Sequence, residues 1–305
     1  MQCDACAGER ATRVLETGDR RFGVPGRFAV VRCDRCGLVR TDPQPEDLGA
    51  YYPEGDYYSF RPPAEPTPRV RARVRGAYGL NGVPLPRRAL AAVGRDRLTP
   101  GLPPGPPGDL LDVGCGSGQF LLALREAGWR PHGIDISASA VAAANEAGLD
   151  DVRCGDLIEA GYPAEHFDAV RFWHSLEHVR SPRAQLAAAH RILRPHGTLT
   201  IGVPNFGSLL ARRAREQWYY LDVPRHLWHF EPETLANVVE RAGFAVTRVR
   251  TLSGSTALLG TLDYLLGRRE QLVGNPRAWY AALPLAAAMD TARAGDALEL
   301  TAVRD

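Results

Sequence analysis

The chain has 305 residues, of which 45% are hydrophobic and 24% charged, as is ordinary for a soluble protein with one large domain and a small appendage. A formal net charge of +2 gives no broad electrostatic case for a nucleic-acid or membrane partner. The N-terminus lacks the regions of a signal peptide, and the longest apolar runs are too short to span a bilayer. We therefore expect a cytoplasmic protein without a transmembrane segment.

Cysteines are concentrated at the start of the chain. Four of the six form two C-x2-C pairs: Cys3, Cys6, Cys33 and Cys36. Paired thiolates at this spacing are typical of structural zinc, whose coordination sphere is closed by four cysteines. Redox use of one pair would leave the other unexplained. We therefore predict a zinc-ribbon domain over residues 1–58 with an architectural Zn²⁺.

A proline-rich segment follows at residues 59–108, and its composition predicts a linker with one or two short helices. From residue 109 to 305, strand-like and helix-like patterns alternate. Repeated β-α units predict an α/β fold, specifically a Rossmann-like, seven-stranded, mostly parallel sheet with helices on both faces. Ser181 is the predicted N-cap of the helix after the fourth strand of this sheet.

Residues 110–120, LLDVGCGSGQF, place three glycines within five residues directly after an apolar strand. A dinucleotide-binding loop requires G-x-G-x-x-G, but Gln119 occupies the position of the last glycine, and the lysine of a phosphate-binding loop is absent. Two acidic residues end the next predicted strands, Asp135 and Asp156. An acid about 20 residues beyond the loop is placed to bind ribose hydroxyls.

The pattern D-x-G-x-G-x-G that begins at Asp112 resembles the first motif of the class I S-adenosylmethionine (SAM)-dependent methyltransferases. The resemblance implies that Asp135 binds the ribose, that Asp156 binds the adenine amino group and that Leu157 lies beside the adenine ring. The cofactor-binding residues expected from it are Asp112, Gly114, Gly116, Gly118, Asp135, Ile136, Asp156, Leu157 and Trp173. The cysteine pairs followed by YYPEGDYY resemble a bacterial subgroup with an N-terminal zinc ribbon, often found in glycan or natural-product pathways.

Methyl transfer is an in-line displacement, and it needs a general base only when the acceptor must lose a proton. The fourth strand ends in FWHSLEHV, which places His174 and His178 at the expected catalytic edge. For His178 and Glu177 a structural role is favoured, because the wider family shares LEHV whatever its acceptor. An insertion at residues 206–230 is expected to build the acceptor pocket, with His226 as a further candidate base.

The insertion is rich in rings that could form the walls of this pocket or only fasten a long loop to the sheet. These residues are Trp218, Tyr219, Tyr220, His226, Trp228 and His229. His226 is preferred to His229 as a base because the first histidine of PRHLWHF resembles one that faces the active site in related sequences. Asn205, at the end of the fifth strand, is another pocket candidate.

These observations favour an enzyme that methylates a small-molecule or sugar acceptor, without specifying whether oxygen, nitrogen or carbon is methylated. One alternative is an RNA methyltransferase that uses the ribbon and the arginines of PRVRARVRGAYG, although the net charge of +2 disfavours it. Another is a non-catalytic SAM-binding or zinc scaffold. Amphipathic segments near the C-terminus permit a homodimer or a membrane contact, but ordinary helix packing is favoured.

Overall fold

The computed structural model describes residues 2–52, 101–268 and 270–305. The predicted linker helices and most of the YYPEGDYY segment lie outside the described residues. Two β-sheets organise the rest, one with four strands and one with seven.

The smaller sheet carries the cysteine-rich region. Its strands are β1 (Ala11–Thr17), β2 (Phe28–Cys33), β3 (Val39–Asp42) and, from far along the chain, β9 (Trp228–His229). They pair in the order β1-β2-β3-β9, antiparallel throughout. Four of the six residues of β2 are buried, so this central strand packs against a core. The insertion therefore completes the sheet of the N-terminal region.

The larger sheet has the order β10-β11-β8-β7-β4-β5-β6. Its strands are β4 (Asp109–Val113), β5 (Arg130–Asp135), β6 (Val152–Cys154), β7 (Phe167–Trp173), β8 (Leu193–Pro204), β10 (Phe244–Leu252) and β11 (Ala297–Arg304). The pairings of β4, β5, β6, β7 and β8 are parallel, whereas β11 runs antiparallel to both neighbours. This arrangement confirms the predicted α/β fold.

Helices connect and cover these strands. They are α1 (Gln119–Glu126), α2 (Ala138–Glu146), α3 (Pro182–Ile192), α4 (Leu209–Ala214), α5 (Pro232–Arg241), α6 (Ser255–Leu265) and α7 (Pro276–Thr291). Ser181 caps α3 as predicted, since its side chain accepts a hydrogen bond from the Ala184 N–H. The C-terminal amphipathic segments form α6 and α7, which pack on each other. Within the described ranges, no helix is both long and apolar enough to cross a membrane.

Strand β4 lies where the direction of the sheet reverses, because the chain moves outward to β5 and β6 on one side and to β7 and β8 on the other. In open α/β sheets such a switch point opens a crevice at the carboxyl ends of the strands. The glycine loop follows β4 directly and therefore lies in the crevice. The fold thus places the predicted cofactor and catalytic residues at one edge.

Candidate functional site

The glycine loop has a backbone that ordinary residues rarely adopt. Gly114, Gly116 and Gly118 have φ values of 79°, 54° and 77°, all in the left-handed region. A Cβ on Gly114 would lie 2.5 Å from the Cβ of Ser175, and one on Gly118 would lie 2.3 Å from a methyl group of Leu149. The loop is therefore closely packed from behind and presents bare backbone to the crevice.

Asp135, at the end of β5, holds this loop in place. One carboxylate oxygen accepts the Gly116 N–H at 2.8 Å, and the other accepts the Ser137 N–H at 2.9 Å. Burial raises the pKa of the carboxyl group, and the two backbone donors oppose that shift. Each oxygen retains a further lone pair, so the carboxylate can also accept hydrogen bonds from a diol in the crevice.

Asp156 follows β6 and accepts the Ile158 N–H at 2.7 Å and a Gln185 side-chain N–H at 2.5 Å. Leu157, expected beside the ring of a ligand, is instead only 1% exposed and packed in the main core. Ile158 is 51% exposed and Ile136 is 77% exposed. The apolar side chain available beside Asp156 is therefore Ile158, because the strand end turns Leu157 inward.

Asp112 is buried, and a single nitrogen of Arg171 lies 2.7 and 2.8 Å from its two oxygens. The Arg171 guanidinium also lies 3.9 Å from the centre of the Phe120 ring. This arginine supplies a positive charge that the sequence analysis did not anticipate. The negative charge of Asp112 is balanced within the protein.

Trp173, expected at the cofactor, is half-buried at the end of β7. Its ring fills the space above Gly101 and Gly202, where added Cβ atoms would approach to 2.8 and 2.4 Å. It also lies 5.0 Å from the Arg171 guanidinium. Trp173 therefore packs on the segment before β4 and forms a wall of the crevice.

His174 is the candidate base with the most open position. Its backbone is left-handed, with φ of 54°, and its side chain is 30% exposed. Nδ1 lies 3.4 Å from Oε1 of the fully buried Glu177, and the ring lies 5.9 Å from that of Tyr220. A positive φ outside glycine is strained and is often found at functional sites.

Two further imidazoles, His178 and His226, lie edge to face with their ring centres 4.7 Å apart. Nδ1 of His178 is 3.1 Å from the Arg225 carbonyl, and Nδ1 of His226 is 2.9 Å from the Tyr220 carbonyl. A carbonyl only accepts hydrogen bonds, so each ring carries a proton on Nδ1. Burial lowers the pKa of His226 to about 4, which leaves it neutral at pH 7.

Glu177 lies between these rings, on the short 3₁₀ turn Leu176–His178 that follows β7. Oε1 of Glu177 contacts Nδ1 of His174 and also lies 4.0 Å from Nε2 of His226. Among the described residues, neither carboxylate oxygen has a hydrogen bond of ordinary geometry. Burial acts to raise the pKa of the carboxyl group, but the contact with His174 and the charges of the neighbouring imidazoles lower it overall.

Arg225 joins this cluster to the N-terminal region. Its side chain is fully buried and donates to Asp222 at 2.6 Å, to Asp19 at 2.6 Å and to the Tyr51 carbonyl at 3.0 Å. Burial acts to raise the pKa of Asp222, but the charge of Arg225 outweighs it and lowers that pKa. The Tyr52 hydroxyl lies 2.9 Å from Nδ1 of His178. The cysteine-rich region thus contacts the edge that carries the candidate bases.

Most rings of the insertion fasten it in place. Trp218 and Trp228 are buried, and the Trp228 indole donates to the Val179 carbonyl at 2.9 Å. His229 is also buried, with Nε2 3.0 Å from the Thr41 hydroxyl. Asn205 is not a pocket residue, because it is buried. Its side-chain amide donates to the Gly295 carbonyl and accepts the Gly207 N–H.

The four predicted metal ligands come together in the folded chain. The sulfur of Cys3 lies 3.5 Å from that of Cys36, and the sulfur of Cys6 lies 3.6 Å from that of Cys33. All four sulfurs lie within 4.8 Å of one another. Asp4, between the first two cysteines, accepts hydrogen bonds from Ser181 and the Arg183 N–H at the start of α3. The turn between the first two cysteines therefore anchors the helix that follows the candidate bases.

Comparison with known proteins is consistent with this geometry. The pattern of the family described as "Methyltransferase domain" matches residues 87–249, just over half of the chain. The chain is 36% identical over 115 residues to 27-O-demethylrifamycin SV methyltransferase of Amycolatopsis mediterranei, covering 35% of this chain and 42% of that protein. It is 34% identical over 145 residues to nocamycin O-methyltransferase of Saccharothrix syringae, covering 43% and 49%.

The chain thus spans less than half of the length of each of these relatives. Among solved structures, a SAM-dependent methyltransferase from Mesorhizobium loti is 20% identical with a TM-score of 0.48, covering 71% of this chain and 96% of that one. The family match includes the glycine loop, both acids and the histidine turn. The chain belongs to the class I SAM-dependent methyltransferase family.

Proposed function

We propose that the chain transfers the methyl group of SAM to a hydroxyl group of a small, natural-product-like molecule. Two relatives that share about a third of their aligned residues with it are O-methyltransferases named for rifamycin and nocamycin substrates. A hydroxyl acceptor must lose its proton during transfer, and the catalytic edge supplies imidazoles that can take it. These two relatives give less support to a nitrogen or carbon acceptor.

The cofactor is assigned to the crevice beside the glycine loop. Gly114, Gly116 and Gly118 would lie against its amino-acid part, Asp135 would accept from the ribose hydroxyls and Asp156 from the adenine amino group. Ile136 and Ile158 would cover the adenine ring, because both are exposed beside those acids. When bound, SAM supplies a methyl group activated by a positive sulfur, and the protein's part is to position the acceptor in line.

His174 is assigned as the general base, and its relation to Glu177 is the observation that carries this assignment. The side chain is partly exposed, whereas His226 is buried and has Nδ1 committed to a carbonyl. Glu177 lies 3.4 Å from Nδ1 of His174, so it favours a proton there and leaves Nε2 free to accept one from the acceptor. A buried carboxylate also stabilises the imidazolium that forms.

The four cysteines are assigned to a structural Zn²⁺. Ligands about 2.3 Å from a tetrahedral ion stand about 3.8 Å apart, close to the sulfur separations of 3.5 and 3.6 Å. Four thiolates leave no open position, so the ion would support the smaller sheet and take no part in methyl transfer.

The assignment of His174 is tested with His174→Gln in the full chain. Hydroxylated aromatic and glycosylated small molecules are first screened for a mass gain of one methyl group. With the best acceptor, we expect kcat to fall about 100-fold, as is usual for loss of a general base, while the Kd for SAM stays the same. His196→Gln, at an exposed histidine outside the site, is the control. An unchanged kcat in His174→Gln would contradict the assignment.

A further inference from the structure

We propose that Glu177, His178 and His226 form a second metal site, separate from the cysteine cluster, that takes a divalent first-row transition ion. One ligand atom from each residue lies within 4.8 Å of the others. Two imidazoles and one carboxylate form the donor set of many such sites and leave coordination positions open. We refer to these three residues as the His–Glu cluster.

Glu177 provides the first independent observation. Its side chain is fully buried, and in the part of the chain that the structure describes neither oxygen has a hydrogen bond of ordinary geometry; Nδ1 of His174 lies 3.4 Å from Oε1. An ionised carboxylate in this position is costly unless a positive charge compensates it. Arg225 is already shared between Asp19 and Asp222, so it does not fill that role. A cation between Glu177 and the rings would do so.

The orientation of the two imidazoles provides the second observation. Nδ1 of His178 lies 3.1 Å from the Arg225 carbonyl and 2.9 Å from the Tyr52 hydroxyl, and Nδ1 of His226 lies 2.9 Å from the Tyr220 carbonyl. Because a carbonyl only accepts hydrogen bonds, we assign the ring proton to Nδ1 in both histidines. A histidine that binds a metal usually donates its other ring N–H to a carbonyl or carboxylate, which fixes the tautomer. Both rings therefore carry their free lone pair on Nε2, as a metal ligand requires.

The environment of Nε2 of His226 agrees with a bound cation. This nitrogen lies 4.0 Å from Oε1 of Glu177 and 3.9 Å from Oδ2 of Asp222, so two carboxylate oxygens lie close to it. Ligands about 2.1 Å from a tetrahedral ion stand about 3.4 Å apart, so binding would draw this pair together by roughly half an ångström. Asp222 remains paired with Arg225 and is not counted as a ligand.

The position of the cluster suggests how an ion would be used. His174, the proposed base, contacts the same Glu177 oxygen. An acceptor hydroxyl that occupied an open coordination position would have a lowered pKa next to that base. This use rests on the proposed function, but binding of the ion does not.

The test is the zinc content of the untagged full chain after dialysis against excess Zn²⁺ and removal of free ion. We expect Glu177→Gln and the half-buried His178→Gln each to retain one zinc ion fewer per chain than the wild type. His190→Gln, at a half-buried histidine outside the cluster, should retain the wild-type amount. Comparing each variant with the wild type makes the result independent of how many ions the cysteines bind.

Circular dichroism and SAM binding establish that each variant is folded. Because Glu177 is fully buried and His178 only half-buried, the test remains decisive if one of the two variants does not fold. Equal zinc content in the wild type and in folded Glu177→Gln or His178→Gln would overturn the proposal. It would indicate that a proton on a neighbouring imidazole compensates Glu177 instead. Because the readout is bound metal, failure to find a methyl acceptor leaves this result unaffected.

Discussion

At the cofactor edge, each polar side chain with a proposed role lies at or just after the end of its own strand, since Asp135 ends β5 and Asp156 follows β6. The acceptor side is instead assembled from distant segments: Tyr52 from the N-terminal region, His174 to His178 after β7, and Tyr220 to His226 in the insertion. Local backbone geometry builds the first region, and buried charges hold the second together. Variants should therefore affect the two regions separately.

The largest effect is expected from Cys33→Ser, which removes one of the proposed zinc ligands. Loss of a structural zinc site costs at least about 5 kcal/mol of folding free energy in the region that it supports. Because β9 pairs with β3, amide hydrogen exchange should accelerate in residues 219–229 while the Kd for SAM changes little. Cys154→Ser, at an exposed thiol outside the cluster, is the matched control. Wild-type exchange in Cys33→Ser would break the proposed link between the regions.

The second-largest effect is expected from Asp19→Asn. Among the described residues, the change leaves the fully buried Arg225 with Asp222 as its one carboxylate partner, and breaking a buried pair costs about 3 kcal/mol or more. Urea unfolding should detect this loss, and kcat/KM for the acceptor should fall more than SAM affinity. Asp34→Asn removes an exposed carboxylate from the same region and should cost little. If the two variants were equally stable, the buried network would not be what holds the acceptor side.

Asp135→Ala should act on the other region. It removes the proposed ribose acceptor and the partner of the Gly116 N–H, so SAM affinity should fall about 10-fold or more, equivalent to about 1.4 kcal/mol. Titration calorimetry with SAM measures this directly. Asp150→Ala, at an exposed site after α2, should bind SAM normally. Equal affinity in the two variants would refute the assignment of Asp135.

The smallest effect is expected from Asp109→Asn, because Asp109 lies at the start of β4, away from both regions. Hydrogen bonding and charge from Arg130, with Arg194 assisting, lower its pKa to about 2. A lowered pKa stabilises the folded state above the unfolded value of about 3.9, and that stability is lost as the pH falls towards 2. Asp109→Asn should cost about 1 kcal/mol at pH 7, since both arginines are partly exposed, and almost nothing at pH 2.

Denaturation of Asp109→Asn and the wild type at both pH values measures this difference. SAM and acceptor binding should remain unchanged, which separates general stability from either region. A cost that did not shrink at low pH would contradict the role of the ion pair.

The cofactor edge was largely predictable from the sequence because its signals are local. The glycine spacing, the strand patterns and the acids that end those strands all lie within 48 residues, from Asp109 at the start of β4 to Asp156 after β6. The exception is Leu157, since a one-residue change of direction at a strand end decides whether it or Ile158 faces the crevice. No local pattern specifies that direction.

The acceptor side was less predictable because its contacts join distant residues. The contact of Tyr52 with His178 spans 126 residues, and the pairing of Arg225 with Asp19 spans 206. Nothing in the neighbouring sequence marks these partners. For Glu177, the motif LEHV suggested a structural residue. Only the folded structure shows that its carboxylate is buried among imidazoles without a hydrogen bond of ordinary geometry from the described residues. Packing also decided that Trp218 and Trp228 fasten the insertion.

The central claim is that the glycine loop holds SAM and not a dinucleotide. Equilibrium dialysis of the wild-type full chain with methyl-labelled SAM, in the presence and absence of excess NAD⁺, tests it most directly. We predict saturable binding of one SAM per chain that NAD⁺ does not displace. Absence of saturable SAM binding, or its displacement by NAD⁺, would contradict the account.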